Sequence, residues 1–286
     1  MRSDVEYVRP SNLEEATGFL SDHGPETKLL AGGTDLLVDL RAGKLKARYL
    51  MDITRIPELS GIALTGEGLS IGAGATISEI AQSELVDRFA PVLRKACLTF
   101  GSPQVRNTAT IGGNIANGSP SADTFPPLIV HEAVAVVAGP RGERRIPVEK
   151  SAAGPYRSNL GPDEMIVRFT LKTAEGRYSE FLKIGRRKAL AIARVNMAVL
   201  LEKDSGGTIR FIRFSLGSST PVPCRVREVE EFLDGKIPGE AVVTEGGRLV
   251  AQRMIEISGR RPTTVYKEQA VVGLFRRLLH PVVKND

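Results

Sequence analysis

Apolar positions along the chain change their period several times, and each change marks an element. Leu13, Ala16 and Leu20 recur at helical spacing, which predicts a helix over residues 10–20, with Ser11 as its cap and Glu14 reciprocating. Residues 28–31 are a short apolar run that reads as a buried strand. It delivers Gly32-Gly33 to a helix holding Leu36, Leu37 and Leu40 and stopping near Gly43. Residues 69–75 read as a strand, Thr76 and Glu79 form a capping box opening a helix over Ile77 and Ile80, and residues 91–99 read as a helix. Residues 134–139 and 165–171 follow as strands, the second with Met165, Val167, Phe169 and Leu171 alternating onto one face. Between them, residues 150–159 read as a loop.

The pattern changes near residues 173–176, where polarity rises. Residues 177–184, 195–202 and 208–216 predict three strands, the last two joined by a hairpin turn at Asp204-Ser205-Gly206-Gly207. Val226, Val229 and Phe232 line one helical stripe ended by Gly235, and Val271, Leu274 and Leu278 line another. The expectation is an α+β chain of two domains, 1–175 and 176–286, the second a three-stranded antiparallel sheet with helices. A length of 286 residues exceeds one ordinary core and agrees with that division.

Composition removes several function classes. Lys and Arg number 39 against 33 acidic residues, a net +6 without basic blocks or interleaved aromatics, which argues against nucleic-acid binding and suits an acidic partner subunit. Cys97 and Cys224 are the only cysteines and no Cys-x-x-Cys or His cluster occurs, so no disulfide scaffold, iron-sulfur cluster or metal site is expected in this chain. His23, His131 and His280 are scattered, and no catalytic acid, base or nucleophile stands out. The N-terminal residues lack the apolar core of a signal peptide and no run of eighteen uncharged apolar residues occurs, so the cytoplasm, without membrane insertion, is the expected address.

The candidate chemistry lies in two glycine pairs. Thr110-Ile111-Gly112-Gly113-Asn114 continues through Ser119 to Asp123, and Leu29-Leu30-Ala31-Gly32-Gly33-Thr34-Asp35-Leu36 repeats the plan of an apolar run, a glycine pair and a hydroxyl at a helix start. Glycines let backbone N–H groups approach an anion that a Cβ would hold away. Two such cradles in one domain point to a dinucleotide, although each alone also reads as a tight turn. Neither matches the phosphate loop ending in Lys-Ser/Thr or the three-glycine dinucleotide fingerprint. Thr110 or Ser119 can donate to a phosphate or satisfy only the turn, and Asp35 suits capping or a bond to neighbouring backbone better than contact with a diphosphate.

Together, in this order, the loops resemble those of the FAD-binding medium subunit of the molybdenum hydroxylases, the carbon monoxide, xanthine and nicotinate dehydrogenase type. The likeness runs nearly end to end, through Tyr7-Val8-Arg9-Pro10-Ser11, both loops, Pro162-Asp163-Glu164-Met165-Ile166 and Phe181-Leu182-Lys183-Ile184-Gly185-Arg186-Arg187. It implies a two-lobed FAD-binding domain of the vanillyl-alcohol-oxidase type ahead of the small C-terminal domain. It also implies FAD contacts from both loops, Phe100 beside the flavin, Asn114 and Asp123 on ribose or flavin edges, Ile166 against the ring and the Lys183 ammonium facing it. From the residues alone, Phe100 and Ile166 read equally as core, and Lys183 as a solvated lysine. Relatives commonly carry a Phe pair and a Thr where Ala152, Ala153 and Asn159 stand here, so nothing is carried over to that loop. Further implications are a large molybdopterin subunit and a small two-cluster iron-sulfur subunit as partners in a dimer of heterotrimers, with NAD or another acceptor taking the electrons. A self-contained flavin oxidase, a nucleotide-binding assembly module and a subunit that has lost its flavin are the alternatives.

Overall fold

The structure is a computed structural model that describes residues 5–187 and 190–283. The chain begins with a small parallel sheet. Strands β1 (Glu6–Val8), β2 (Thr27–Leu30) and β3 (Tyr49–Asp52) lie in the order β1-β3-β2, with helix α1 (Leu13–His23) before β2 and α2 (Leu36–Arg41) after it. The cap of α1 is Asn12, one residue beyond the expected Ser11. Asn12 has extended backbone and its side chain accepts from the Glu15 N–H, while the Ser11 amide and hydroxyl donate to the Glu15 carboxylate. Asparagine caps as well as serine, so the motif slides by one and Glu15 replaces Glu14 as reciprocating acid.

The second lobe is a five-stranded antiparallel sheet, β4-β5-β10-β6-β7. Here β4 is Ile62–Thr65, β5 Gly68–Gly72, β6 Val134–Gly139, β7 Gly142–Pro147 and β10 Met165–Leu171. Six short helices come between β5 and β6: α3 (Ile77–Gln82), α4 (Glu84–Phe89), α5 (Pro91–Leu98), α6 (Pro103–Arg106), α7 (Ile111–Ala116) and α8 (Phe125–Val130). The Thr76–Glu79 capping box opens α3 as expected. Residues 150–159 are not simply a loop but carry a hairpin of β8 (Ala152–Gly154) and β9 (Arg157–Ser158).

The expected alternation of β10 fails at a bulge between Ile166 and Arg168. Met165 and Val167 face the first lobe, with Met51, Ile56 and Leu59, whereas Ile166, Phe169 and Leu171 face the second lobe's core of Leu69, Ile71 and Phe125. One extra residue in a strand moves all that follows to the other face. This bulge lets one strand serve two cores.

The C-terminal sheet has four strands rather than three: β11 (Tyr178–Gly185), β12 (Ala193–Lys203), β13 (Ile209–Gly217) and β14 (Cys224–Arg225), in that order. Two residues in β14 are too few for a period to show. Helices α9 (Arg227–Leu233), α10 (Glu240–Ser258) and α11 (Thr264–Leu279) cover one face, where Val195, Met197, Val199 and Leu201 of β12 point. The opposite face carries Ala198 and Leu200 onto Val92 and Ala96 of α5 and Val130 of α8, a buried seam between the lobes. Helix α10 is absent from the sequence expectation because Gly246-Gly247 interrupts its helical signal. Those glycines bring it against α11, where a Cβ at 246 would lie 3.0 Å from the Phe275 ring and one at 247 would lie 3.3 Å from the Val272 backbone. Among the described residues no helix is long and apolar enough to cross a membrane.

Candidate functional site

A cleft of about 420 Å³ opens where the parallel sheet meets the second lobe. Its wall takes Leu29, Ala31, Gly32, Gly33, Thr34, Asp35 and Leu36 from the turn between β2 and α2, and Thr110, Gly112, Gly113 and Asn114 from the second glycine loop. Phe100, Ile166 and Met165 add apolar surface, and Tyr156, Ser158 and Leu160 enter from the β8–β9 hairpin and its exit. Sequence reasoning missed the hairpin residues, since residues 150–159 showed no periodicity, and it missed Asn117, the C-cap of α7, within a loop where polar side chains are usually just solvated.

The first loop must be glycine for two reasons. A Cβ on Gly32 would lie 1.9 Å from the Thr108 carbonyl oxygen, so this loop presses onto the approach to the second one. Gly33 has φ +68, in the left-handed region, where a side chain is strained and would also meet Leu37 and Leu30. The turn's carbonyls are used, with Leu37 N–H donating to Gly33 at 3.1 Å and Asp39 N–H to Asp35 at 3.0 Å. Its amides are not. Among the described residues no backbone group accepts from Gly32, Gly33, Thr34 or Asp35. Unpaired N–H groups on a cleft wall are donors that an anion could take up.

The second loop is differently wired. Thr110 caps α7, its hydroxyl accepting from Gly113 N–H at 3.1 Å. Ile111 N–H donates to Ala75 (3.0 Å), Gly112 N–H to Ala73 (2.9 Å) and Asn114 N–H to Thr110 (3.0 Å). All four amides from 111 to 114 are thus committed within the protein. Gly112 permits packing, because its Cβ would lie 2.7 Å from Ala73. What this loop offers the cleft is the Gly113 surface, the Thr110 hydroxyl and the Asn114 carboxamide, whose Oδ1 accepts from Thr124 at 2.6 Å. The two glycine pairs therefore present different groups to the cleft: uncommitted amides at 32–35, and side-chain groups with the Gly113 surface at 110–114.

Other site residues also fall differently from expectation. Asp35 stands at the start of α2 without a side-chain cap bond, so its expected capping role is not seen. Desolvation and then the charge of Asp39 push its carboxyl upward. Leu30 and Ile111 lie outside the wall. Ile111 is fully buried in the second lobe's core, and Leu30 packs beneath Gly33. Phe100 and Ile166 serve as core and as wall at once.

Asp123 and Lys183 also lie off the wall, and they meet each other at the seam. The Lys183 ammonium donates to Asp123 Oδ2 at 2.5 Å and to the Thr99 carbonyl at 2.7 Å, and Asn196 Nδ2 donates to Asp123 Oδ1 at 3.0 Å. With its side chain only 13% exposed, Lys183 is not a solvated surface lysine. Nor does its charge stand alone, since Asp123 balances it against the Thr99 carbonyl, which precedes Phe100. Burial pushes the Asp123 carboxyl up, against the pull of Lys183. Arg187 donates to the Leu190 carbonyl nearby.

The family model for the FAD binding domain in molybdopterin dehydrogenase matches residues 3–171, and that for the CO dehydrogenase flavoprotein C-terminal domain matches residues 180–282. A xanthine dehydrogenase FAD-binding subunit of Escherichia coli O157:H7 is 34% identical over 79% of this chain and 77% of its own. The carbon monoxide dehydrogenase medium chain of Hydrogenophaga pseudoflava is 34% identical over 88% and 86%. The nicotinate dehydrogenase FAD-subunit of Eubacterium barkeri is 27% identical over 96% and 95%. A solved carbon monoxide dehydrogenase of Hydrogenophaga pseudoflava superposes with a TM-score of 0.89 at 31% identity, covering 96% of each chain.

Proposed function

The chain belongs to the family of FAD-binding domains of molybdopterin dehydrogenases, and from that premise we propose that it collects electrons from an iron-sulfur partner and delivers them to NAD or another acceptor. Membership makes it the FAD subunit of a multi-subunit oxidoreductase. The proposed partners are a large molybdopterin subunit and a small iron-sulfur subunit, assembled as a dimer of heterotrimers in the cytoplasm. The proposed division of labour is a cofactor domain at 1–175 and a buttressing domain at 176–286.

The residues fit the cofactor. The single observation that carries the assignment is the run of uncommitted amides from Gly32 to Asp35, facing a cleft with apolar walls. Those amides would hold the pyrophosphate, and the Thr110 hydroxyl and Asn114 carboxamide would add directional bonds across the cleft. Phe100 and Ile166 would flank the ring system, excluding water on both sides. When bound, FAD supplies the redox chemistry, taking electrons singly or in pairs and passing a hydride onward. The cleft wall contributes no histidine or cysteine, and the work left to this chain is position, electrostatics and dryness. The Lys183–Asp123 pair enters as a fixed dipole against the Thr99 carbonyl, one residue before Phe100, and joins the C-terminal domain to the cofactor lobe.

The test is the purified chain itself. One FAD per chain by absorbance after denaturation supports the assignment. A colourless chain that takes up no added FAD contradicts it.

A further inference from the structure

Tyr156 sits at the tip of the β8–β9 hairpin with φ +56, a backbone region where a bulky side chain is disfavoured. Gly154 pairs with Arg157, so the loop is Pro155-Tyr156. Proline at the second position followed by positive φ at the third is the pattern of a type II turn, whose third position favours glycine. Of the four non-glycine residues with positive φ among those described, Tyr156 is the one on the cleft wall. The tip is also fixed. Tyr156 N–H donates to the Gly118 carbonyl at 2.9 Å, and a Cβ on Gly118, itself at φ +63, would lie 3.2 Å from the Arg157 amide. Two left-handed residues are thereby locked back to back, at the end of the loop that contains Thr110 and Asn114. Yet Tyr156 is 68% exposed while lining the cleft. A pinned, strained turn that holds an aromatic ring open to a ligand cleft is unexplained by packing.

We propose that Tyr156 is a stacking platform for a planar heteroaromatic ring of the bound dinucleotide, isoalloxazine or adenine. The inference rests on the FAD reading above and extends it to the segment to which nothing was carried over from the resemblance. An aromatic face accepts either ring through dispersion and offset stacking, and its phenol edge tolerates water at the mouth.

Calorimetric titration of the full chain freed of flavin tests this with FAD, FMN and ADP. Tyr156→Ala should weaken FAD binding about tenfold, and Tyr156→Phe should bind as wild type does. Tyr156→Gly separates stacking from structure. Relief of the left-handed strain should raise the melting temperature while affinity falls as in the alanine variant. Weakening confined to FMN assigns the platform to isoalloxazine, and weakening confined to ADP assigns it to adenine. Wild-type affinity in the alanine or glycine variant, or an equal loss in the phenylalanine variant, overturns the proposal. A wild-type chain that binds no FAD overturns the cofactor reading itself.

Discussion

The two glycine loops read alike as sequence and behave unlike in the fold. Both follow a hydroxyl or apolar run, both sit at a helix of six residues, the first pair just before α2 and the second inside the first turn of α7, and both reach the same cleft. The loop at 32–35 keeps its amides uncommitted, because the parallel strand beside it ends at Asp52 and the Thr108–Ala109 backbone that presses on Gly32 takes none of its N–H groups. The loop at 110–114 lies against the turn after β5, whose Ala73 and Ala75 carbonyls take its N–H groups. A glycine pair therefore reports close approach in both places. Only the surroundings decide whether a ligand or the protein's own backbone does the approaching.

Five substitutions, one of them read against pH, probe the two loops and their surroundings, and the largest effect is expected behind the second. Asp123, at the end of that loop, is buried against Lys183. Removing the ammonium in Lys183→Met leaves a carboxylate without its counter-charge and should destabilise the chain by about 4 kcal/mol in denaturant unfolding. A loss under about 1 kcal/mol would show that the pair does not join the lobes.

Gly32→Ala comes next. Collision with the Thr108 carbonyl should lower stability by about 3 kcal/mol and abolish flavin retention in purified protein. Gly113→Ala, whose Cβ meets the Thr110 hydroxyl at 3.0 Å and the Ala31 Cβ at an ordinary 4.0 Å, should keep both. Equal flavin loss in the two variants would erase the distinction between the loops.

Acid should act on the second lobe in particular. His131, at the end of α8, is fully buried. Its Nδ1–H donates to the Lys172 carbonyl at 2.6 Å, and its Nε2 has no partner among the described residues. Burial pushes its pKa down to about 4. The unfolded chain takes up the proton below about 6.5 and the folded chain does not until about 4. The neutral ring's contribution is therefore fully present above pH 6.5 and is lost as pH falls toward 4, amounting to about 3 kcal/mol. The difference in stability between wild type and His131→Asn should shrink across that window. A difference independent of pH would contradict the assignment. Asp35 in the first loop runs the other way, since its raised carboxyl favours the folded state in acid and loses that advantage as pH rises.

The smallest effect belongs to the cap. Thr110→Val removes the acceptor for Gly113 N–H and should cost about 1 kcal/mol of stability, with FAD affinity falling only modestly. A large loss of affinity with unchanged stability would mean that the hydroxyl serves the ligand and not the helix.

How much of this was legible in the sequence follows from range. The strands at 134–139 and 165–171, the Thr76–Glu79 box and the strand-glycine-helix join at 28–36 were readable because a few adjacent residues determine each. The bulge at Ile166–Arg168 was not, because the partner strand β6 sets it. Nor was the Lys183–Asp123 pair, whose members are sixty residues apart. The amide occupancy that distinguishes the loops depends on Ala75 and Ala73, which lie 36 and 39 residues before their donors Ile111 and Gly112. Resemblance brought the right cofactor. The inequality of the cleft's two walls required the fold.

The most direct test of that inequality is amide hydrogen exchange on the flavin-free chain, repeated with saturating FAD. The peptide spanning 29–37 should exchange quickly alone and become strongly protected by FAD, while residues 111–114 should be protected already and change little. Protection gained at 111–114 with 29–37 unchanged would place the pyrophosphate on the wrong loop for this account.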